Sequence, residues 1–293
     1  MNKHLIACAA VLACSQSALA QSASSVEIYG LIDVGIEHVT GVGASGDSLQ
    51  RMTTSSNTAP SRLGFRGSED LGQGNRAFFT LEQGIVMNNG SLSQGGRTFG
   101  RQALVGLSNP TLGALSLGRQ YTMTFWSGLN ADIHGGGIYG TGSLDPYLPN
   151  ARADSAVAWR KNFGNGFQAG ATYSFGRDSV NAGPSPAGTN CPGQTTPDSD
   201  LWHLGASMPV SPALTLSGQV VTLRYKNASD YNATLMALRA TYAFSKRTNV
   251  FAQVGHIKNN KASAVALSGG SPGSNPVAGA SQTGLNIGFQ TAF

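Results

Sequence analysis

The chain has 293 residues, of which 11% are charged and 39 are glycine, and its formal net charge is +5. Ordinary soluble domains carry about 25% charged residues, so this composition is unusual for a soluble globular protein. The basic excess is small and scattered, which argues against a nucleic-acid-binding surface. A run of about 20 apolar residues is absent after the N-terminal segment, so we expect no transmembrane helix.

The N-terminal segment has the pattern of an export signal. A short apolar run follows Lys3, and Ala18 and Ala20 place small residues where a signal peptidase reads them. We therefore expect residues 1–20 to be a cleaved signal peptide and residues 21–293 to form a single domain. A lipoprotein signal is the alternative, because two cysteines follow sequences that loosely resemble lipid-attachment boxes.

Alternation of apolar with polar or small side chains dominates the rest of the chain. In the final segment, Leu285–Phe293, alternate positions differ in polarity, and we call each set of alternate positions a parity. One parity holds Leu285, Ile287, Phe289 and Phe293, and the other holds Asn286, Gly288, Gln290 and Ala292. Successive side chains of a strand point to opposite faces, so this segment has one apolar and one polar face. Its pattern recurs in most of about twelve segments, which are joined alternately by short turns and long loops, as in barrels of the outer membrane.

These features together predict an all-β fold: an antiparallel transmembrane β-barrel of about 12 strands, closed by pairing of the first strand with the last. We expect no helix. One segment, Val250–Ile257, has apolar residues on both parities, so its lipid-facing side is ambiguous. Another, Thr122–Asn150, lacks a strand pattern, and a loop of this length in a compact domain is usually functional.

Several motifs point to one family. They are Val26–Asp33, Ser61–Gly72, Gly95–Leu107, Leu117–Tyr121, Tyr242–Phe251 and the terminal Phe293. Together they resemble the general porins of Gram-negative bacteria, in the group typical of β-proteobacteria. The resemblance implies a sixteen-stranded, trimeric, water-filled barrel whose third loop folds inward. Phe293 would be read by the machinery that inserts barrels.

The sequence departs from that family in length. The segment around Trp202 resembles a late strand of the family, yet it follows the hairpin at Tyr173 after a single loop. About four strands are therefore expected to be missing, which keeps the strand number even and shrinks the barrel, because diameter grows with strand number. The third loop would be Thr122–Asn150.

Arginines are the candidate constriction residues. Parity places Arg62, Arg66, Arg152 and Arg160 on the lumen side. Arg101 and Arg119 share parity with apolar neighbours, so we expect them near strand ends, outside the hydrocarbon. A guanidinium stays charged in any environment, so a wall of them attracts anions.

Acidic residues complete the candidate constriction. The resemblance implies that acids of the inward loop face the arginines, and Asp132 and Asp145 are the candidates. Glu82 and Asp154 lie on the strands themselves. In the alternative interpretation, the arginines only form salt bridges with Glu82 and Asp154 and fill the lumen.

The sequence thus predicts an outer-membrane porin for passive diffusion of small hydrophilic solutes and ions, with a preference for anions. Expected partners are membrane lipid, lipopolysaccharide and further copies of the chain in a homotrimer, without nucleic acid, cofactor or metal. One alternative is a barrel enzyme resembling an outer-membrane phospholipase, which needs a serine activated by a histidine such as His256. A non-conducting structural barrel is the other.

Overall fold

The structure is a computed structural model that describes residues 24–53, 57–134, 137–140, 151–164, 167–175, 199–269 and 273–293. The expected signal peptide and Asp145 lie outside these ranges. Within them, thirteen strands form one sheet in which every pair of neighbours is antiparallel. The predicted all-β class is confirmed.

The strands are numbered in chain order. They are β1 (Ser25–Val42), β2 (Asp47–Met52), β3 (Arg62–Gly72), β4 (Asn75–Gly84), β5 (Gln102–Asn109), β6 (Gly113–Tyr121), β7 (Arg152–Gly164), β8 (Phe167–Ser174), β9 (Ser199–Pro209), β10 (Leu214–Tyr225), β11 (Ala233–Ala243), β12 (Thr248–Asn259) and β13 (Gln282–Ala292). A 3₁₀ turn, Ser229–Tyr231, joins β10 to β11.

Twelve strands form the wall, in the order β8-β7-β6-β5-β4-β3-β1-β13-β12-β11-β10-β9, while β2 pairs only with β1. The first strand pairs with the last as predicted, from Leu31 opposite Ala292 to Val39 opposite Gly284. The ring of Phe293 then lies where a side chain on Gly30 would be, which packs the chain end against β1. In the described part of the chain, β8 and β9 are the two edges.

The two faces of the wall differ in polarity. Large apolar side chains such as Val26, Leu204 and Leu238 are 71%, 78% and 64% exposed on the outer face. On the inner face of β1, Asp33 and Glu37 are almost completely buried. A sheet that exposes its apolar side chains and buries its carboxylates is inverted relative to a soluble protein, as expected for a wall that meets lipid outside.

The inner face near the ends of β10, β11 and β12 is apolar, because chain segments fold inward and pack on it. Ile138, Tyr139 and Leu267 come from the inward segments and are at most 2% exposed. They share a core with Val39, Val221, Leu223, Ala233, Leu235, Ala237 and Ile257 of the wall. This packing explains why the lipid-facing side of β12 was ambiguous from the sequence. The inner face of β12 carries Phe251 and Ile257, and its outer face carries Val254 and His256.

Among the residues that the structure describes, one α-helix interrupts the strands, contrary to the expectation of none. Helix α1 (Met123–Ala131) begins directly after β6, and the side chain of Thr122 accepts a hydrogen bond from the backbone N–H of Phe125 as its N-cap. Alternation of apolar and polar residues identifies strands, so it gives no indication of a helix of this length. Among the described residues, no helix is long and apolar enough to cross a membrane.

Candidate pore constriction

A cluster of arginines lies along five neighbouring strands, β3 to β7. Its members are Arg62, Arg97, Arg101, Arg119 and Arg152, with the carboxylates Glu82 and Asp154 between them. The hydrogen-bonding order of the strands brings these residues together, although they span about a third of the chain. Of the predicted constriction residues, the structure therefore gathers Arg62, Glu82, Arg101, Arg119, Arg152 and Asp154 into one cluster.

Glu82 is the first centre of this cluster. Its carboxylate is 4% exposed and accepts hydrogen bonds from Arg101 Nε at 2.7 Å and from the Tyr29 hydroxyl at 2.9 Å. Arg62 Nε lies 3.6 Å from the same carboxylate. A buried carboxylate needs such charged partners, because it has lost its hydration. One negative charge thus holds two guanidinium groups.

Asp154 is the second centre. Its oxygens each accept a hydrogen bond from Arg97 Nη1 at 2.9 Å, and Asp154 also accepts one from Arg119. Arg119 in turn donates to the backbone carbonyl of Gly100 at 2.7 Å. As at Glu82, two arginines share one carboxylate, so these three side chains together keep a net positive charge.

Tyr121 connects the arginine cluster to helix α1. Its hydroxyl accepts hydrogen bonds from Arg101 Nη2 at 2.5 Å and from Arg152 Nη2 at 3.1 Å. The guanidinium of Arg152 also lies 4.6 Å from the centre of the Tyr121 ring, a cation–π distance. The ring also contacts two aromatic rings of α1: Phe125 is stacked on it at 4.7 Å, and Trp126 meets it edge-on at 5.4 Å. The third loop therefore begins by packing against the arginines.

Arg101 and Arg119 face the lumen side because each lies where the regular alternation of a strand does not apply. Arg101 directly precedes β5. Arg119 follows Gly118, whose φ is +124°, and the register of β6 against β7 shifts between Gly118 and Gln120. An irregularity of this kind turns the next side chain to the other face. The sequence expectation that both arginines escape lipid by lying near strand ends is therefore incomplete for Arg119.

Among the described residues, the remaining candidates form no ion pair with Glu82 or Asp154, although the Arg66 guanidinium lies 4.8 Å from the centre of the Tyr29 ring. Arg66 pairs with Glu27 at 2.8 Å, and both side chains are 55% exposed. Arg160 stacks over the ring of Trp126 in α1, at 4.9 Å. Asp132 is 6% exposed and accepts a hydrogen bond from the backbone of His134, inside the third loop.

The described part of the third loop is anchored to the opposite wall. His134 Nε2 lies 3.1 Å from Ser217 Oγ, and the His134 carbonyl accepts a hydrogen bond from Arg239 Nη1 at 3.2 Å. Further along, the Tyr139 hydroxyl donates to Glu37 at 3.0 Å. Because α1 starts beside the arginines and these contacts reach β10, β11 and β1, the loop folds inward, as the family resemblance implies.

Sequence reasoning missed three members of the cluster. Tyr29 was not among the predicted constriction residues, yet its hydroxyl donates a hydrogen bond to Glu82. Arg97 and Tyr121 were not considered, although both lie inside the family motifs Gly95–Leu107 and Leu117–Tyr121. The alternation of Tyr29 with outward-facing Ile28 was the available signal for its inward position.

No group of histidine, cysteine and acidic side chains within the described residues could hold a metal ion. His256 lies on the outer face of β12, and its Nδ1 is 2.8 Å from the hydroxyl of Thr283. That partner is a threonine, so no activated serine accompanies His256 in this part of the chain. The geometry gives no support to the phospholipase alternative.

Comparison with known proteins decides the family. The sequence matches the Gram-negative porin family over residues 7–195 and 187–262. The chain belongs to this family. Porins are outer-membrane diffusion channels rather than enzymes, which confirms the predicted class, membrane and non-enzymatic function. The outer membrane porin protein 32 of Delftia acidovorans is 31% identical over 366 aligned residues that cover all of both chains.

Two further relatives support the assignment. An outer membrane porin protein of Bordetella pertussis is 35% identical over 195 residues, which are 62% of this chain and 50% of that porin. The anion-selective porin from Comamonas acidovorans superposes with a TM-score of 0.78 and 25% identity, over 92% of this chain and 100% of that one. OmpT of Vibrio cholerae, at 15% identity and a TM-score of 0.63 over 94% of this chain and 99% of its own, shares the fold.

The family comparison also indicates where this porin is shortened. The alignment with the Delftia porin extends over 366 positions, 73 more than the 293 residues of this chain. The match to the family breaks into two parts that overlap at residues 187–195, between β8 and β9. This position agrees with the predicted loss of strands after the hairpin at Tyr173.

Replacing Glu82 should test whether its carboxylate holds the cluster. Glu82→Gln leaves the buried guanidinium of Arg101 without its anion, so we expect the free energy of unfolding to fall by about 3 kcal/mol. Urea unfolding of the refolded porin in lipid vesicles measures this. The matched control is Glu27→Gln, which breaks the exposed pair with Arg66 and should cost much less, because water screens that pair. Equal losses would contradict the central role of Glu82.

His134 gives the anchored loop a defined pH dependence. Burial, and then the positive charge of Arg239, lower the pKa of His134 to about 4. The unfolded chain has a histidine pKa of about 6.5, so it binds a proton between pH 6.5 and 4 that the folded state excludes. We expect the free energy of unfolding to be unaffected by His134 above pH 6.5 and to fall by about 3 kcal/mol as the pH drops to 4.

The measurement is urea unfolding at a series of pH values, with His134→Gln as the control. The glutamine keeps a polar side chain beside Ser217 but does not titrate. Its unfolding free energy should change less than that of the natural porin across this window. The same pH dependence in both proteins would exclude His134 as the titrating group.

Proposed function

We propose that this porin forms a water-filled channel that prefers anions, and that its arginine cluster is the selectivity region. The observation that carries the proposal is the imbalance of charge: among the described residues, the five arginines of the cluster share only Glu82 and Asp154. Ionisable groups at membrane depth face water or a pore, so this excess acts on permeating ions. The Comamonas relative is an anion-selective porin, which agrees with this direction.

Three arginines of the cluster are accessible to a solute. The side chains of Arg62, Arg97 and Arg119 are 26%, 28% and 20% exposed. Arg101, in contrast, is 3% exposed, and its Nη1 has no partner among the described residues. We assign direct contact with anions to the first three and a supporting positive potential to Arg101 and Arg152.

We further propose that β8 and β9 pair with each other and close a twelve-stranded barrel. They are consecutive strands, so they run antiparallel when adjacent. Unpaired backbone N–H and C=O groups cost several kcal/mol each in hydrocarbon, which leaves an open edge strongly unfavourable there. A barrel with fewer strands has a smaller diameter, so the permeating solutes are small anions.

The proposed assembly is a homotrimer embedded in outer-membrane lipid and lipopolysaccharide. The family resemblance is its main support, and one Vibrio cholerae neighbour, OmpT, was solved in a trimer form. We also propose that Phe293 is read by the barrel-insertion machinery, and that the acids Asp132 and Asp145 lie in the loop that narrows the channel.

The charge of Arg62 tests the proposed selectivity. In planar bilayers with a salt gradient, we expect single channels of the natural porin with a reversal potential that favours anions. Arg62→Glu changes the local charge by two units beside Glu82, so it should shift the reversal potential toward cations by a readily measured amount. The control Arg247→Glu makes the same change in the exposed turn after β11 and should shift it much less.

Two outcomes would contradict the proposal. Folded protein that gives no channels would favour the non-conducting barrel. Equal shifts for Arg62→Glu and Arg247→Glu would show that net charge, rather than the arginine cluster, sets the selectivity.

Hydrogen exchange tests the closure of the barrel. If β8 pairs with β9, the backbone amides of both strands on the facing edges should exchange as slowly as those of β7 and β10, because each is hydrogen-bonded. Exchange measured by mass spectrometry in lipid nanodiscs resolves the segments 167–174 and 199–209. Fast exchange confined to these two strands would rule out direct pairing.

A further inference from the structure

A buried carboxylate on the inner face of β1 is held by neutral groups rather than by arginines. Asp33 is 2% exposed, and among the described residues it forms no salt bridge. Its oxygens accept four hydrogen bonds of 2.6–2.8 Å, from Asn57 Nδ2, the Thr58 hydroxyl and the backbone N–H groups of Thr58 and Ala59. Burial of a carboxylate is unfavourable without such donors, so the positions of Asp33 and of its donors depend on each other.

All four donors belong to the segment that leads into β3. We call residues 57–61 the Asp33-bound segment. Ser61, its last residue, forms two further hydrogen bonds with the backbone of Asp33: its hydroxyl accepts from the Asp33 N–H at 2.9 Å and donates to the Asp33 carbonyl at 3.0 Å. Gln290 of β13 also donates to the Thr58 hydroxyl, at 2.6 Å. The segment is therefore fixed to the inner face of the wall, chiefly through one aspartate.

The Asp33-bound segment lies where one edge of β1 has a gap between two strand partners. In the described part of the chain, this edge pairs with β3 only as far as Leu31 and with β2 only from Ile36. The Ser61 hydroxyl accepts the hydrogen bond of the Asp33 N–H within this gap. An unpaired N–H group is unfavourable in a membrane wall, so the segment completes the edge as well as covering its inner face.

The Asp33-bound segment ends directly before Arg62, which is one of the arginines assigned to anion contact. The guanidinium of Arg62 turns back toward the segment. Its Nη1 donates to the Pro60 carbonyl at 3.2 Å, while Nε lies 3.6 Å from the carboxylate of Glu82. A long arginine side chain has many rotamers, so contacts at two places are needed to define its direction. Of the two contacts, the one with Pro60 depends on Asp33.

We propose that Asp33 is a positioning residue for anion selectivity, because it fixes the Asp33-bound segment and, through the Pro60 carbonyl, the direction of the Arg62 guanidinium. The inference rests on the proposed role of Arg62 in selectivity. The negative charge of Asp33 itself repels anions, yet its hydrogen bonds place a group that attracts them. Since neutral donors hold this carboxylate in the described part of the chain, Asp33 neutralises no arginine of the cluster by an ion pair.

The charge of Asp33 and its positioning role affect selectivity with opposite signs. Removal of a negative charge near the lumen raises the ratio of anion to cation permeability, whereas release of Arg62 from its position lowers it. Asp33→Asn keeps the size of the side chain but replaces one acceptor oxygen by a donor. We expect the permeability ratio, measured from reversal potentials in a salt gradient, to fall about twofold in this variant.

The matched control for charge is Glu27→Gln. It removes a negative charge from an exposed position two residues before Tyr29, on the same face of β1, and it leaves Arg66 without its anion. The permeability ratio should therefore rise in Glu27→Gln. Opposite changes in Asp33→Asn and Glu27→Gln are the result that supports the positioning role.

Ser61→Ala tests the position of the segment without a change of charge. It removes both hydrogen bonds between the Ser61 hydroxyl and the backbone of Asp33, so the permeability ratio should fall, by less than in Asp33→Asn. The control is Ser68→Ala, farther along β3, where the hydroxyl lies 3.4 Å from that of Ser25 in an exposed pair. This control should keep the ratio of the natural porin.

A double-mutant cycle tests whether Asp33 acts through Arg62. In the background of Arg62→Gln there is no guanidinium to place, so Asp33→Asn should raise the permeability ratio instead of lowering it. Recordings are made from variants whose unheated samples migrate as folded barrels on detergent gels. If Asp33→Asn does not fold, Ser61→Ala with and without Arg62→Gln provides the same cycle, and its effect should vanish in that background.

Two results would overturn the inference. One is a rise of the permeability ratio in Asp33→Asn like that in Glu27→Gln, because Asp33 would then act by its charge alone. The other is an equal fall with and without the Arg62 guanidinium. Both results leave the selectivity region itself intact. Failure of the proposed function is a separate outcome, namely equal shifts for Arg62→Glu and Arg247→Glu.

Discussion

The wall of this porin depends on one constraint, which is that hydrocarbon offers no partner for a backbone N–H or C=O group. Every strand must therefore obtain its hydrogen bonds from its neighbours. The pairing of β1 with β13 meets this requirement at the junction of the chain ends, where residues 31–39 align with residues 284–292. Once the strands are paired, one face of each must meet lipid, and the alternation of the sequence follows from that.

The inside of the barrel is organised by buried charge. Glu82 and Asp154 each hold two arginines, and Glu37 holds Arg51 of β2 and Tyr139 of the third loop. A carboxylate without water requires such partners, so each acts as a fixed point on the wall. Those near β3 to β7 collect positive charge, whereas Glu37 fastens inward segments. The proposed selectivity and the position of the loop thus rest on the same kind of interaction at different places.

The features that depend on side-chain alternation and on family motifs could be predicted from the sequence. It predicted the class of the fold, the closing pair of strands, the inward loop and most of the arginine cluster. It did not predict helix α1, because Met123–Ala131 follows a strand without a change in composition that parity could reveal. It also did not place Tyr29 in the cluster, since a tyrosine suits both a lipid interface and a buried carboxylate.

The sequence also did not predict the direction of side chains where the backbone of a strand is irregular. Parity assumes an uninterrupted pleat, and the bulge at Gly118 breaks that assumption for Arg119. Parity also assumes that an inner face meets water. Near β10 to β12 it meets Ile138, Tyr139 and Leu267 instead, so apolar residues appear on both faces of β12. Contacts between segments far apart in the chain decide both cases, and no local pattern contains them.

The shortened wall leaves the two functional halves of the inside intact. The break in the family match lies between β8 and β9, at the far side of the sheet from the β1–β13 pair. The arginine cluster belongs to β3 through β7, and the anchors of the third loop belong to β10, β11 and β1. Neither set of contacts needs the missing strands. In the proposed closed barrel, the shorter circumference brings the two walls closer together, so the charge of the arginines acts across a narrower space, where its effect on an ion is larger.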